Sequence, residues 1–472
     1  MSPRKSVTLL VLAGALGTLT ASPAPASASA SASATSEPPN KITIKRGGPA
    51  RTVPFELRGA GEAVIRFTVS APGVSWARQG AESAVVSVGV DGRHLTDLVV
   101  PSAEPTTRSL ALGSVRRGHH KLSLLFSREG SAAGARRVVL GGLEIRTPAD
   151  QVALRHAPIV VGRTLPSLGD RYQNARTDTP LIGWHEELPA GTPGHRIFEY
   201  SVIWSNEDGG TDSPALMARW GRTTDIEWVY RVEVDAAGNR VAGSGVYQAP
   251  EHQTLQFSGR YEGDHPLLQT CTVNNNMCDT VTGPAPLRFF LDTTETRPQD
   301  RAREILMDRN RWTYPIMAQE MIREGKIEDP SDPATPAVGD QRTYLFIEIK
   351  KETGAPAGAG SVPGVSVGVR LKSAPATLYR SDHAIVTSSI ARDLPAATTV
   401  ELPEGTTAAD IASIEAIRQP MGTGDNGAPV TVTSINRAFF LDRAYYPQPS
   451  AVTWTGSVGL TPAQPSAVLW HP

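Results

Sequence analysis

Two carboxylates, two arginines and two tryptophans crowd into the stretch Arg219-Trp220-Gly221-Arg222-Thr223-Thr224-Asp225-Ile226-Glu227-Trp228. The stretch runs on into the alternation Val229-Tyr230-Arg231-Val232-Glu233-Val234, which has the period of a β-strand. Period 2 puts Asp225 and Glu227 on one face with Arg231 and Glu233, and Ile226, Trp228, Tyr230 and Val232 on the other. A bulge would exchange the faces. Paired carboxylates about 5 to 9 Å apart are the acid/base apparatus of glycosidic cleavage. Asp225 and Glu227 are the prime candidates for that role. Neighbours on one strand face stand at the near edge of the range, so Glu251, Glu262 or Asp264 would have to complete the pair from another strand. Arg219 and Arg222 suit an anionic or hydroxyl-rich substrate, and Trp220 and Trp228 suit the apolar face of a pyranose. The competing reading is a salt-bridged strand face in which Arg219, Arg222 or Arg231 neutralises the acids.

Three histidines add proton-transfer chemistry. His252 follows Glu251, His265 follows Asp264, and His185 sits between Trp184 and Glu186-Glu187. An imidazole serves as general base or metal ligand, and a carboxylate can fix its tautomer. Sequence neighbours on a strand point to opposite faces, however, so Asp264 need not touch His265, and surface or turn histidines account for the same residues. The loop Asn206-Glu207-Asp208-Gly209-Gly210-Thr211-Asp212 offers Asp208 and Asp212 as oxygen ligands for Ca²⁺; an ordinary turn accounts for it equally. No other cofactor is expected. The sequence has no P-loop, dinucleotide fingerprint, Gly-x-Ser-x-Gly elbow or His-Glu-x-x-His pair in a suitable context, which removes the standard nucleotide, serine-hydrolase and zincin readings.

These residues need a scaffold, and the sequence describes a β one. Gly 43 and Pro 38 in 472 residues favour turns and short strands over long helices. Residues 1–30 read as a secretory signal peptide: Arg4 and Lys5, then an apolar run from Val7 to Leu19, then Ala-x-Ala sites near residues 26 to 30. Residues 31–40 are an Ala/Ser/Pro linker. Residues 41–148 carry alternating segments every 8 to 12 residues, with Asp91-Gly92 as a turn, which predicts an N-terminal β-sandwich or jelly roll. Residues 149–472 form the main β-rich region, interrupted by a two-helix insertion at 296–326 that opens at Pro298 and ends near Gly325. A short helix over Ala408 to Arg418 is also expected. Cys271 and Cys278 are the two cysteines, and an exported chain with a short polar loop between them predicts one disulfide.

Two resemblances follow from these segments. Residues 41–148 resemble the carbohydrate-binding-module type of jelly roll found beside secreted enzymes. Trp76, in Pro72-Gly-Val-Ser-Trp76, is its one candidate for stacking on a sugar; a structural or docking domain is the other reading. The central region, about 156–280, resembles the vacuolar protein sorting-associated protein 62 family. His156-Ala157-Pro158 matches that family's opening element, Asp225-Ile226-Glu227-Trp228 its acidic strand, and His265-Pro266-Leu267-Leu268 its His-Pro strand. The usual His-Glu-Gly-Asp-Trp-Glu run and Gly-Ser-His loop are replaced here by Gly-Arg-Thr-Thr-Asp-Ile-Glu and by Asn274-Asn275-Asn276. The resemblance implies a β-sandwich more than an activity.

A net charge of −1 gives no electrostatic case for nucleic acid or an anionic membrane. No stretch after the leader is long and apolar enough to span a bilayer. Together these features predict a secreted, mainly β protein. The leading expectation is an enzyme, of the glycoside hydrolase or polysaccharide lyase kind, that cleaves extracellular polysaccharide or glycoconjugate by acid/base chemistry. In that reading Asp225, Glu227, His252 and His265 do the chemistry, and Arg219, Trp220, Arg222, Trp228 and His185 hold substrate. The alternative is a non-catalytic binding or envelope-associated β protein. The two differ in whether Asp225 or Glu227 faces open volume beside a second titratable group.

Overall fold

A computed structural model describes residues 41–472 except 169, 170, 208, 210 and 284–286. The expected signal peptide and linker therefore lie outside the described residues. The described chain is mainly β, with an N-terminal sandwich, a larger sandwich-like region and a two-helix insertion, as the patterning predicts.

The N-terminal sandwich packs two antiparallel four-stranded sheets. One runs in the order Ile42–Lys45, Arg137–Arg146, Gly61–Ser70, Thr106–Val115; the other Arg51–Leu57, Gly118–Ser127, Ala84–Val90, Arg93–Val100. Alternate residues such as Val86, Val88, Leu122, Leu124 and Leu140 fill the space between. Trp76 does not project as a sugar platform. It is 0% exposed, its indole N–H donates to Glu320 Oε2 at 2.9 Å, and Arg323 lies 4.7 Å from its ring centre. It is a joint between this sandwich and the helical insertion, because a buried indole needs an acceptor and Glu320 supplies one.

The next pair of sheets is unequal. A five-stranded sheet runs Pro180–Leu188, Arg196–Trp204, Asp225–Val234, Val246–Gln248, Thr254–Gln256. Facing it are Tyr261–Glu262, His265–Thr270, Ile159–Val161 and Arg288–Phe289, with Met277–Cys278 paired to the second of these. Their core includes Val64, Val85, Val99 and Ala111 of the N-terminal sandwich, so the two units share buried apolar surface. The segment 288–291 stitches them further: Ala111 N donates to Phe290 O at 3.0 Å, and Arg288 Nε to Leu95 O at 2.7 Å.

A third pair of sheets lies between residues 344 and 470, around Leu345, Ile347, Val367, Ile414 and Val432. The expected helix over Ala408 to Arg418 is only a single 3-10 turn, Ala408–Asp410, followed by the strand Ile411–Pro420. Its register against Pro363–Leu371 slips so that Ala412 has no partner, and Ile411 and Ile414 both face inward. A bulge thus spaces two core residues three apart, which imitates a helical pattern.

The helical insertion is shorter than the sequence suggests. Pro298 opens a turn, and the helices are Ile305–Arg309 and Thr313–Arg323. Arg297 is held by Glu186 and Arg301 by Glu348, which keeps the approach to the first helix off helical geometry. A further helix, Ser213–Trp220, was not foreseen. Pro214 sits in its first turn and Gly221 ends it at φ 66°, where a Cβ would meet Thr398 N at 3.0 Å. Arg219 and Trp220 therefore belong to a helix end and not to the strand that follows.

Candidate functional site

The strand Asp225–Val234 carries a bulge. Tyr200 pairs with Tyr230 and Ser201 with Trp228, which leaves Val229 unpaired. The bulge exchanges the expected faces. Asp225 and Glu227 share the inner face with Tyr230 and Val232, while Ile226 and Trp228 share the other with Arg231. Arg231 therefore pairs with Glu199 and not with Asp225 or Glu227.

Asp225 does not face open volume. It is 2% exposed, and Asn275 Nδ2 donates to its Oδ2 at 3.0 Å. The same nitrogen lies 3.1 Å from Asp178 Oδ1 and 3.2 Å from Asn206 O. Burial, then the nearby Glu227 and Glu207 charges, push the Asp225 carboxyl well above the usual range. Glu207 is also raised, first by burial. Glu227 is 18% exposed and its Oε1 stands 3.8 Å from Nδ1 of His252, which is 51% exposed. Gln248 Nε2 donates to that Nδ1 at 3.1 Å. With its amide turned to suit its neighbours, Asn274 donates to Glu207 Oε1 (2.9 Å) and Gly209 O (2.7 Å) and accepts from His252 Nε2 (3.2 Å). The Cys271–Cys278 disulfide, present as expected, closes the loop that delivers Asn274 and Asn275. Of the four residues expected to do the chemistry, Asp225, Glu227 and His252 lie near one another. Asp225 and Glu227 are packed under the disulfide loop while His252 is half exposed at its edge, and none of the three lines a described cavity.

The remaining candidates scatter. Arg222 is buried and donates to Glu304 Oε1 at 2.9 Å, so it is not available to a substrate. Trp220 is half-buried among Arg392 (4.0 Å from its ring centre), Arg219 (5.6 Å) and Arg222 (5.8 Å). Trp228 is half-buried beneath Arg231 at 4.9 Å. These rings are engaged by guanidinium groups in place of sugar. His185 donates from Nδ1 to Thr293 O at 2.6 Å and packs on Phe198 and Tyr200; burial lowers its pKa. Asp208 lies outside the described residues. Asp212 is exposed at the start of the helix Ser213–Trp220. Among the described residues, no group of three His, Cys, Asp or Glu side chains could hold a metal ion.

His265 stands apart from this cluster. A cleft of about 740 Å³ opens where the N-terminal sandwich meets the second pair of sheets, and His265 lies in its wall. The tight turn Glu262-Gly263-Asp264-His265, with Gly263 at φ 63°, delivers three titratable side chains to one side. Glu62, Arg93 and Gly113 come from the N-terminal sandwich, and Gln151 and Arg155 from the connection. His265 Nδ1 is 3.0 Å from Ala157 O. A carbonyl only accepts, so Nδ1 carries the proton and Nε2 is the nitrogen left with a lone pair in the neutral ring. Nε2 stands 3.3 Å from Glu62 Oε2. That oxygen is buried and has no hydrogen-bond partner, in a residue 6% exposed. Phe290 meets the imidazole edge-on at 4.6 Å.

The other charges of the cleft are mostly paired. Arg288 donates to both oxygens of Glu262 at 2.7 and 2.6 Å, and this bond is the main reason the Glu262 carboxyl sits below its ordinary value. Burial pushes Asp264 up, but the Arg155 hydrogen bond together with the charges of Arg155, His156 and Arg240 outweighs it and leaves the carboxyl low. Arg93 is exposed, and its guanidinium makes no hydrogen bond or ion pair among the described residues. Glu62 and Arg93 escaped the sequence reading. Glu62 is the acid just ahead of the apolar run Ala63-Val64-Ile65, and Arg93 directly follows the Asp91-Gly92 turn; those positions were the available signals.

No protein family matches the chain, so the likeness to the vacuolar protein sorting-associated protein 62 family gains no support. No curated protein matches it either. Solved structures do match in part. A carbohydrate-binding module from Cellvibrio mixtus lichenase 5A with cellotriose is 12% identical over 23% of this chain and 70% of that one, at a TM-score of 0.16. A Clostridium thermocellum family two carbohydrate esterase with cellohexaose is 19% identical over 27% and 34%, at 0.16. The Eiger TNF from S. frugiperda is 8% identical over 25% and 92%, at 0.17. At these scores none of them informs the function.

Proposed function

We propose that the protein is secreted and acts on extracellular polysaccharide or glycoconjugate in the cleft between the N-terminal sandwich and the second pair of sheets. The observation that carries this is the His265–Glu62 pair: a titratable nitrogen 3.3 Å from an unpartnered buried carboxylate oxygen, in the wall of a 740 Å³ cleft. Ligand sites tend to be concave, with a few convergent polar groups, and often lie between domains. The Ala157 carbonyl fixes the imidazole tautomer, which leaves Nε2 to take and return a proton while Glu62 stabilises the imidazolium. Arg288, Glu262, Arg155 and Asp264 line the cleft with fixed donors and acceptors suited to hydroxyl-rich rings.

Asp225 and Arg222 act in this reading as internal bracing. A carboxyl closed off by Asn275 and a guanidinium committed to Glu304 do not meet a polymer. The non-catalytic binding reading is favoured by one observation, that two of the three cleft arginines are already engaged by carboxylates.

The test is a panel of neutral and acidic polysaccharides offered to the purified protein, scored for binding and for new chain ends, with His265→Gln and Glu62→Gln alongside. Turnover that both variants lose supports the enzyme. Binding without turnover, unchanged in the variants, supports the binding module. Neither binding nor turnover on any polymer overturns the glycan reading.

A further inference from the structure

Once the paired charges of the cleft are set aside, two features remain: the His265–Glu62 pair and the guanidinium of Arg93. They converge. A Cβ on Gly113 would stand 3.9 Å from His265 Nε2 and 3.9 Å from Arg93 Nη2, so both nitrogens border the same small volume. Arg93 reaches it from the start of the strand Arg93–Val100, and His265 from the start of His265–Thr270. Arg93 is close enough to Glu262 to help hold that carboxyl ionised, yet Arg288 occupies both Glu262 oxygens. The fork of Arg93 is thus left with its donors free beside a base.

An uncommitted guanidinium matches a carboxylate in geometry as well as charge, because its N–H pairs are fixed in a plane. A sugar hydroxyl offers no such match. A base placed beside a carboxylate reader also has a defined reaction, removal of the hydrogen α to that carboxylate. We propose that the cleft takes a uronate-bearing glycan, that Arg93 binds the uronate carboxylate, and that His265 cleaves the chain by β-elimination. This rests on the glycan reading above.

The step balances without a co-reactant. His265 Nε2 accepts the α-hydrogen as a proton. The C–H electron pair becomes a double bond between the α and β carbons, and the β carbon–oxygen bond breaks. The departing oxygen takes the proton from the imidazolium, which restores neutral His265. Arg93 stabilises the negative charge that builds on the carboxylate during proton removal, and Glu62 stabilises the imidazolium. The products are one chain with an ordinary hydroxyl end and one with an unsaturated uronate end.

The experiment compares a polyuronate, the same polymer with its carboxylates reduced to alcohols, and a neutral glucan or xylan. Ultraviolet absorbance of the unsaturated product and release of new ends are both followed. The expected result is unsaturated product from the polyuronate alone. Arg93→Ala should lose roughly 10- to 100-fold in kcat/KM on the polyuronate, the size of one charged hydrogen-bonding contact, with thermal stability unchanged. Arg93→Lys should recover part of that. His265→Gln should abolish the absorbance signal. Equal cleavage of the reduced polymer, or new ends without unsaturation, would overturn this inference and leave the glycan reading standing. Failure to bind or cut any of the three polymers would overturn both.

Discussion

Two of the places where the second pair of sheets bears a histidine beside carboxylates have opposite surroundings. At one, Asp225, Glu207 and Glu227 gather near His252, and the disulfide loop lays Asn274 and Asn275 over them. At the other, His265 faces Glu62 across 3.3 Å, with a 740 Å³ cleft in front. The first has more acid and is the denser cluster in the sequence. One Asn275 nitrogen there lies within hydrogen-bond distance of three separate oxygens, and although Asn275 Oδ1 and Gln248 Oε1 are buried without a hydrogen bond, they line neither described cavity. The second has fewer groups, and its buried Glu62 oxygen, which accepts no hydrogen bond, stands with His265 in the wall of the cleft. Density of ionisable residues marks where charge is managed, whereas an unspent polar atom beside open volume marks where a ligand can be met.

That contrast can be broken by substitution. The largest effect should fall on the cleft: His265→Gln is expected to reduce turnover per folded molecule by about 10²- to 10⁴-fold, the worth of a general acid/base. An equal loss in Asp225→Asn would erase the distinction between the two places.

Next is Arg222→Ala near the closed cluster, which strands the buried Glu304 carboxylate. It should cost about 3–5 kcal/mol of unfolding free energy by denaturant titration, with the kinetics of the folded fraction unchanged. Removal of the disulfide by Cys271→Ser with Cys278→Ser should cost about 2.5 kcal/mol from loop-closure entropy, and amide exchange should rise at Asn274 and Asn275 before it rises elsewhere.

The smallest effect sharpens the comparison through pH. Burial raises the Asp225 carboxyl in the folded state, so the folded protein holds a proton there that the unfolded chain has already released. Stability from this group is complete below the ordinary carboxylate range. It is lost as pH rises from that range through the raised folded value. Asp225→Asn, which cannot ionise, should match the parent in acid and melt at a higher temperature at neutral pH. A parent whose stability does not fall across that window, with no gain in Asp225→Asn, would show that the carboxylate is held ionised.

Much of the fold was legible in the chain. Strand spacing and the Asp91-Gly92 turn announced the N-terminal sandwich, and Cys271 and Cys278 announced their bond. The site was legible in part. The run Glu262-Gly263-Asp264-His265 flagged one wall of the cleft, and Asp225, Glu227 and His252 do come together. What misled was the density of chemistry in Arg219–Trp228: Arg219 and Trp220 end a helix, and Trp220 and Trp228 are covered by guanidinium groups.

By itself the sequence determined a β chain in repeated sandwiches, with one disulfide, because period-2 burial, turn residues and cysteine spacing are local properties. Only the tertiary structure decided which polar groups meet water. Two bulges, at Val229 and Ala412, each displaced the pattern by one residue, and one of them turned Asp225 and Glu227 inward. A bulge depends on what the neighbouring strand does, and no local pattern records it. The pairing of Glu62 with His265 likewise joins residues from two different sandwiches, and only the packing of one unit against the other brings them within reach.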